Sequence, residues 1–355
     1  MLRWRSLISR SVGLATVQLI ILGLVCHSNG IRAQAQQLPA NQASAGWLSW
    51  IASIDFEQPS VIYPDTTGST SCALEVRMED KRIGTFFPPS STQTGNPTTQ
   101  VAYFNVARVL KKEEVVRKAT PHTLRSRAIS EFKHLLNDHC QNSPARLQNR
   151  KLILDLMEKS PNALAGAFNE KKLDDTVAID DSATRSVLFN YLRASQPMPR
   201  ADKIVAYKEH YRDQLAIARE LSIALTLDVV LGQWDRYSGG NFTVQLRNNN
   251  NVKEFGVYFT DNGGATITSQ SAAKKSATHF ERYDRSAIAT LASLQQFLEG
   301  KLETFLGFVD RSLFLQTLGI TAAEGKGLSA NIGILNQAVA TNRQKYGDAN
   351  VFLPE

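Results

Sequence analysis

The sequence predicts an α+β fold in two lobes, a small β-rich lobe over about residues 66–125 and a larger helical lobe over about 126–355. Three observations predict it. Residues 73–78 and 83–87 read as strands joined by a turn at Asp80-Lys81. Tyr103, Val106, Ala107 and Leu110 then recur at i, i+3, i+4, i+7, the spacing of a helix face. Further on, the almost wholly apolar run from Leu221 to Leu231 precedes strand-like stretches at 242–247 and 254–260, separated by four asparagines. A helix apolar all round is a buried helix, and an Asn cluster between strand-like runs marks a turn.

The chain begins with a different kind of segment. Arg3, Arg5 and Arg10 precede a run from Val12 to Cys26 that is apolar except for Thr16 and Gln18, and Ala33-Gln34-Ala35 follows. Charge, apolar run and small-residue site in that order describe a secretory signal peptide over residues 1–35. The run is about 15 residues, short of the ~20 that a spanning helix needs. The expectation is therefore cleavage, no stable membrane span afterwards, and an exported location: periplasmic, secreted or in the lumen of the secretory pathway. Residues 36–65 form an N-terminal extension, expected to pack on the body through Trp47, Leu48, Trp50 and Ile51.

Loss of Arg3, Arg5, Arg10 and Arg32 with the signal takes the formal charge from +7 to about +3. That balance gives no argument for nucleic acid as a partner. The apolar content of 43% is enough for a sizeable core. Of the three cysteines, Cys72 and Cys140 remain. Export permits a disulfide between them, two buried thiols fit the sequence equally, and their spacing is not that of a metal site.

The remaining elements follow from punctuation. The stretch 88–99, rich in Pro, Ser and Thr, is a loop. Helical spacing starts near Gln100 and ends by Pro121; a second helix covers about 126–139, and 148–200 is mixed. A long helix is expected over about 208–232, and two more over 284–308 and 327–344.

Chemistry concentrates in Asp228-Val-Val-Leu-Gly232-Gln-Trp-Asp235-Arg236-Tyr-Ser-Gly-Gly-Asn241 and in Asp261-Asn262-Gly263. The hairpin between Asn241 and Asp261 brings its two open ends to about 5 Å. Asp235, on a Gly-rich loop, can bend over the same point. Phosphoryl transfer needs this set: one Asp to take or orient a hydroxyl proton, and an amide oxygen with a second Asp to hold Mg²⁺ or Mn²⁺ against phosphates. Hard oxygen ligands suit those cations. Two plainer readings compete. The segment could be a solvated loop beside a hairpin, and Asn241-Phe242-Thr243 is an N-glycosylation sequon. The sequence contains no Gly-x-x-x-x-Gly-Lys-Ser/Thr loop and no Gly-x-Ser-x-Gly elbow.

At these residues the chain resembles the atypical secretory-pathway kinases of the four-jointed and Golgi casein kinase type. Asp228, Gly232, Asp235 and Arg236 match that family's D-x-x-x-G-x-x-D-R pattern, and Asp261-Asn262-Gly263 its D-N-G element. Gly68-Ser-Thr resembles its glycine-rich strand start, and residues 100–110 its first-lobe helix. The resemblance implies a two-lobed protein-kinase-like fold, ATP with Mg or Mn as cofactor, and a protein or glycan acceptor. It implies Asp235 as the catalytic Asp and Asp261 as the metal Asp; Arg236 is the second expected catalytic residue, and Asn241 the second expected metal ligand, a role that more distant kinase-fold relatives such as the phosphatidylinositol kinases give to an Asn. Two positions depart from it. Phe87 stands where the family has a phosphate-gripping Lys, and Gln100 where it has the paired Glu. The two changes are coherent, since a Glu left without its cation would be costly. The site keeps a phosphate-gripping cation only if Lys81 or Arg82, in the nearby turn, reaches the phosphates; Gln100, Lys81 and Phe87 are the expected cofactor-binding positions. The expected function is an exported, metal- and nucleotide-dependent phosphotransferase; the alternative is a pseudokinase-like protein that binds nucleotide or a partner without catalysis.

Overall fold

A tight hairpin organises the first sheet. In the computed structural model, which describes residues 54–91, 95–171, 176–178, 189–198, 204–207, 210–236, 241–249 and 252–354, Glu79 and Asp80 both take positive φ, 48° and 62°. Two such residues make the turn whose twist suits antiparallel strands. It joins β2 (Leu74–Met78) to β3 (Lys81–Phe87), one residue ahead of the expected turn. With β1 (Val61–Ile62), β4 (Ala119–Arg125) and β5 (Ala163–Glu170), they form an antiparallel sheet in the order β1-β2-β3-β5-β4. Pro121, expected to close a helical unit, lies in β4 instead. It is tolerated there because β4 is an edge strand.

One face of this sheet carries Leu74, Val76, Phe86 and Phe168. They are buried with Phe132 and Leu136 of α2 (Ser126–His139) and Ile153 and Met157 of α3 (Pro144–Lys159). The lobe boundary expected at residue 125 is therefore corrected: α2, α3 and β5 belong to the small lobe, which extends to about Glu170. The physical reason is that the apolar faces of α2 and α3 close over β2, β3 and β5. Ile54, Phe56, Val61 and Tyr63 complete the same cluster. Cys72 and Cys140 form a disulfide with Cα atoms 5.8 Å apart, which settles the pairing that the sequence left open.

Helix α1 (Pro97–Val109) starts earlier than expected. Asn96 caps it, its side chain accepting from Thr98 N, and Pro97 fits the first turn, where its missing N–H costs nothing. Between α1 and β4, a short 3-10 turn at Glu113–Val115 leads to Val116, which bridges to Phe259.

The large lobe is built around α4 (Gln214–Leu231), in which every residue from Glu220 to Leu231 is buried. It begins later than expected because 204–207 and 210–213 pair as strands β7 (Ile204–Tyr207) and β8 (His210–Asp213). Gly232, at φ 67°, ends it with the left-handed cap that glycine favours. The expected hairpin is present as β9 (Phe242–Asn249) and β10 (Val252–Phe259), paired from Phe242↔Phe259 to Asn249↔Val252, and β6 (Thr176–Ala178) adds to β9. Helices α5 (Gln270–Ala277), α6 (Arg285–Leu298), α7 (Arg311–Leu318) and α8 (Ala322–Tyr346) follow. Helix α6 is shorter than the sequence suggested. Helix α8 starts earlier because Thr321 and Glu324 form a capping box. One continuous core joins α1, α4, β9, β10 and α5–α8. Among the described residues, no helix is long and apolar enough to cross a membrane. The expected signal segment and Trp47, Leu48, Trp50 and Ile51 lie outside the described residues.

Candidate active site

Below the C-terminus of α4, the chain folds around one buried arginine. Arg236 is 2% exposed. Its Nε and Nη2 donate to the Asp228 carboxylate at 2.9–3.2 Å. Nη1 donates to the carbonyls of Asn241 (3.1 Å) and Thr260 (2.6 Å), and Nη2 also to Asn262 Oδ1 (2.9 Å). The guanidinium lies over the Phe259 ring, 4.1 Å from its centroid. Tyr103 of α1 donates its hydroxyl to Asp228 Oδ1 at 2.8 Å. Burial raises the Asp228 carboxyl, against the pull of Arg236; burial also works to lower Arg236, but Asp228 and Tyr103 together leave it raised. With N–H and O–H donors converging on the carboxylate, the ionised pair is the form this geometry supports. The sequence expected Arg236 to be catalytic. A side chain sealed from the cleft with its donors engaged holds the loop, β9, β10 and the Asp-Asn-Gly turn in register instead, so Arg236 is a positioning residue.

The hairpin does bring the expected pair together. Thr260 N donates to Asn241 O at 3.3 Å, so Asn241 and the residue preceding Asp261 face each other across the ladder's open end. Asn241 is buried, and its Nδ2 donates to Asp235 O at 3.1 Å. A glycan needs an exposed amide, and this residue is 6% exposed. Asp235 is half-buried, and its backbone N–H donates to Gln233 Oε1 at 3.1 Å. A Cβ placed on Gly264 would stand 2.8 Å from Asp235 Cβ and 3.6 Å from its Oδ2, so this carboxylate rests on the turn that carries Asp261. Asp261 is exposed, at φ 54°. That region is rare for residues other than Gly, with Asp and Asn the main exceptions, and it recurs at functional sites. Among the described residues, no three His, Cys, Asp or Glu side chains gather as a metal cage. A site of one carboxylate and one amide oxygen suits Mg²⁺ or Mn²⁺, which complete their shells with water and phosphate.

The cleft face of the small lobe meets this turn. Asn96 N donates to Gly263 O at 3.3 Å. A Cβ on Gly263 would lie 2.6 Å from Gly95 Cα and 2.7 Å from Gln100 Nε2. Gln100 is buried, its Oε1 accepts from Asn169 Nδ2 at 2.9 Å, and its Nε2 has no hydrogen-bond partner among the described residues. An orphaned donor beside the Asp-Asn-Gly turn is what a missing ligand leaves behind. Phe87 is buried at the end of β3, near Gly95. Lys81 does not join the group. It opens the same strand, six residues away, about 20 Å at ~3.3 Å per residue, and its side chain is exposed. Arg82 is committed to Glu75 (3.2 Å) and Thr85 Oγ1 (3.1 Å). The expected substitute cation is thus corrected: strand direction puts the turn at the far end of β3 from Phe87.

The comparisons with known proteins agree on the architecture. No family model matches the chain, and no curated protein matches it in sequence. Among solved structures, the Golgi casein kinase with Mn and ADP bound has a TM-score of 0.54 at 13% identity, over 89% of this chain and 80% of that one. A hydra Fam20 structure with sugar has a TM-score of 0.50 at 11% identity, over 86% and 97%. This chain has the Fam20-like atypical kinase fold. At such identity the likeness carries the fold alone. Within it, sequence reasoning missed Tyr103, Asn262 and Arg117. Tyr103 looked like one more apolar position of a helix face, Asn262 like the middle of a common turn, and Arg117 belongs to no pattern.

Proposed function

We propose that this chain is an exported, metal- and nucleotide-dependent phosphotransferase acting on a protein or glycan hydroxyl. The observation that carries the reading is the meeting of Asn241, Asp261 and the Asp235 segment at the open end of β9 and β10, beside the orphaned amide of Gln100. Asp261 and Asn241 would hold the cation. A divalent ion there screens phosphate charge and orients the nucleotide. Asp235 would accept the proton of the acceptor hydroxyl as its oxygen bonds to the γ-phosphorus of ATP, while the bond from that phosphorus to the ADP oxygen breaks and ADP leaves. The Mn and ADP of the Golgi casein kinase structure support ATP as the donor.

A second reading has its own observation. With Phe87 and Gln100 at the positions of the expected ion pair, and Gln100 already bonded to Asn169, the cleft suits nucleotide binding without transfer. Thermal unfolding with ATP and Mn²⁺ separates the two from a protein with no such site. Ligand at 100 times its Kd stabilises by about 2.7 kcal/mol. Stabilisation together with phosphate transfer that Asp235→Asn abolishes supports the first reading. Stabilisation without transfer to any peptide or glycan acceptor supports the second, and no stabilisation removes both.

A further inference from the structure

Among the described residues, Arg117 is a cation that the fold sets between the lobes, within electrostatic reach of Asp261. It is 7% exposed. Its backbone N–H donates to Phe259 O at 2.9 Å, on the strand that leads into Asp261, and its Nε donates to Glu170 O at 2.7 Å, where the small-lobe sheet ends. The backbone is thereby tied to the large lobe and the side chain to the small one. Its electrostatic neighbours are likewise shared: Arg82 and Glu170 from the small lobe, Tyr258 and Asp261 from the large one. Glu170 is already paired with Lys118 at 3.7 Å. Neither terminal nitrogen of Arg117 has a protein acceptor among the described residues, and neither is sealed from water. Desolvation disfavours its charge, yet guanidinium stays protonated in proteins. Glu170 and Asp261 act on this nearly buried cation through space, and among the described residues no carboxylate hydrogen-bonds its two idle donors.

Other polar groups in the same region are unpartnered. Tyr258 Oη, Gln245 Oε1, Asn169 Oδ1 and Gln100 Nε2 are all buried without a hydrogen bond among the described residues. Glu75, Thr85 and Asn169 form one cross-strand row on β2, β3 and β5. Tyr258 and Thr243 are paired on β10 and β9. A lining this rich in unused donors and acceptors calls for a polar ligand.

We propose that Arg117 receives the anionic groups of the cleft's ligand, supplying the positive charge that Phe87 cannot. The inference rests on the reading of the cleft as a nucleotide site. Its two terminal N–H groups match a phosphate fork, which a single ammonium does not.

The test compares wild type with Arg117→Gln and Arg117→Lys by calorimetric titration of ADP with Mn²⁺, of tripolyphosphate without metal, and of adenosine. Gln retains a donor for Glu170 O and removes the charge, and thermal unfolding of each variant reports folding separately. The expected result is ADP and tripolyphosphate binding about ten- to a hundredfold weaker in Arg117→Gln, with adenosine unchanged and Arg117→Lys intermediate. Equal loss for adenosine and ADP would make Arg117 merely structural and overturn the inference. Wild-type affinity for ADP in both variants would overturn it while leaving the nucleotide reading intact. Tripolyphosphate binding that depends on Arg117, without any ADP binding, would uphold the inference and remove the nucleotide reading. A wild type that binds neither anion ends both. If Arg117→Gln does not fold, Arg117→Lys carries the comparison: unchanged affinity for both anions then refutes the inference, and a selective loss upholds it.

Discussion

Replacing Arg236 by Met decides whether this residue belongs to the chemistry or to the scaffold. Met keeps much of the apolar stem and removes every donor. Asp228 would keep only the Tyr103 hydroxyl, and Asn262 Oδ1 and Thr260 O would lose the Arg236 donors at 2.9 and 2.6 Å. Asn241 O would still accept from Thr260 N. Breaking one side of a buried ion pair costs about 3–5 kcal/mol, and each orphaned buried acceptor about 1–3 kcal/mol more. Whole domains are stable by only about 5–15 kcal/mol. Urea unfolding should therefore show Arg236→Met losing at least ~3 kcal/mol, a large part of the total. The companion variant Arg236→Met with Asp228→Leu removes both charges, and should recover part of that loss because the stranded carboxylate is gone. Arg236→Lys should recover little, since an ammonium cannot reproduce the fork on Asp228. An Arg236→Met protein with wild-type stability and nucleotide affinity, but no phosphate transfer, would refute the scaffold assignment and return Arg236 to the reaction.

Two further outcomes follow from the geometry. Gly264→Ala would place a Cβ 2.8 Å from Asp235 Cβ, so it should displace the proposed base and abolish transfer while Mn-ADP affinity falls much less; unchanged turnover would show that Asp235 does not depend on this turn. His122 packs 3.9 Å from the Phe56 ring centroid, and burial, partly opposed by Asp55, lowers its pKa from 6.5 to about 4. The unfolded chain then binds the extra proton between those values, so stability is full above pH 6.5 and declines as pH falls towards 4, by about 3 kcal/mol at most; His122→Phe should flatten that part of the profile, and an unaltered slope would assign it to other groups.

The parts of this molecule legible in the sequence are those whose pattern is local. The alternation on either side of four asparagines fixed β9 and β10, and the apolar run before Gly232 fixed the end of α4. Asp228, Asp235 and Asp261 stood out because their spacing is chemical as well as structural. The rest depended on partners that no local pattern names. Helix α2 is plainly amphipathic, with Ala128, Ile129, Phe132 and Leu136 buried, but amphipathicity does not say which sheet it covers, and the lobe boundary was misplaced for that reason. Lys81 and Phe87 look adjacent in the chain, yet an extended strand puts them at opposite ends of the lobe. Asp235 and Arg236 are neighbours in one motif, yet the first is half-buried and the second almost wholly buried. Tyr103 needs the register of α1 against α4, separated by 125 residues, before its hydroxyl acquires a meaning.

In protein kinases, a strand Lys and a helix Glu form one ion pair that both positions the helix and delivers charge to the phosphates. In this chain those duties are separated. Helix α1 is held by Asn96 to Gly263, Gln100 to Asn169, Tyr103 to Asp228 and Asn105 to the carbonyls of Thr317 and Leu318. Its apolar residues lie in the same core as α4 and β10. No charge carried by α1 itself takes part in these contacts, so the seat of the helix does not depend on a Lys at position 87. A helix fixed this way has no need to swing in before a ligand binds, and the neutral Gln100 can stay buried where an unpaired Glu would be driven out or protonated. Losing the ion pair therefore removes a source of positive charge without removing the geometry around Asp235, Asn241 and Asp261. On the proposed function the cleft still requires an electrostatic partner for an anion, and in the proposal above that duty falls to Arg117 alone rather than being distributed over the fold.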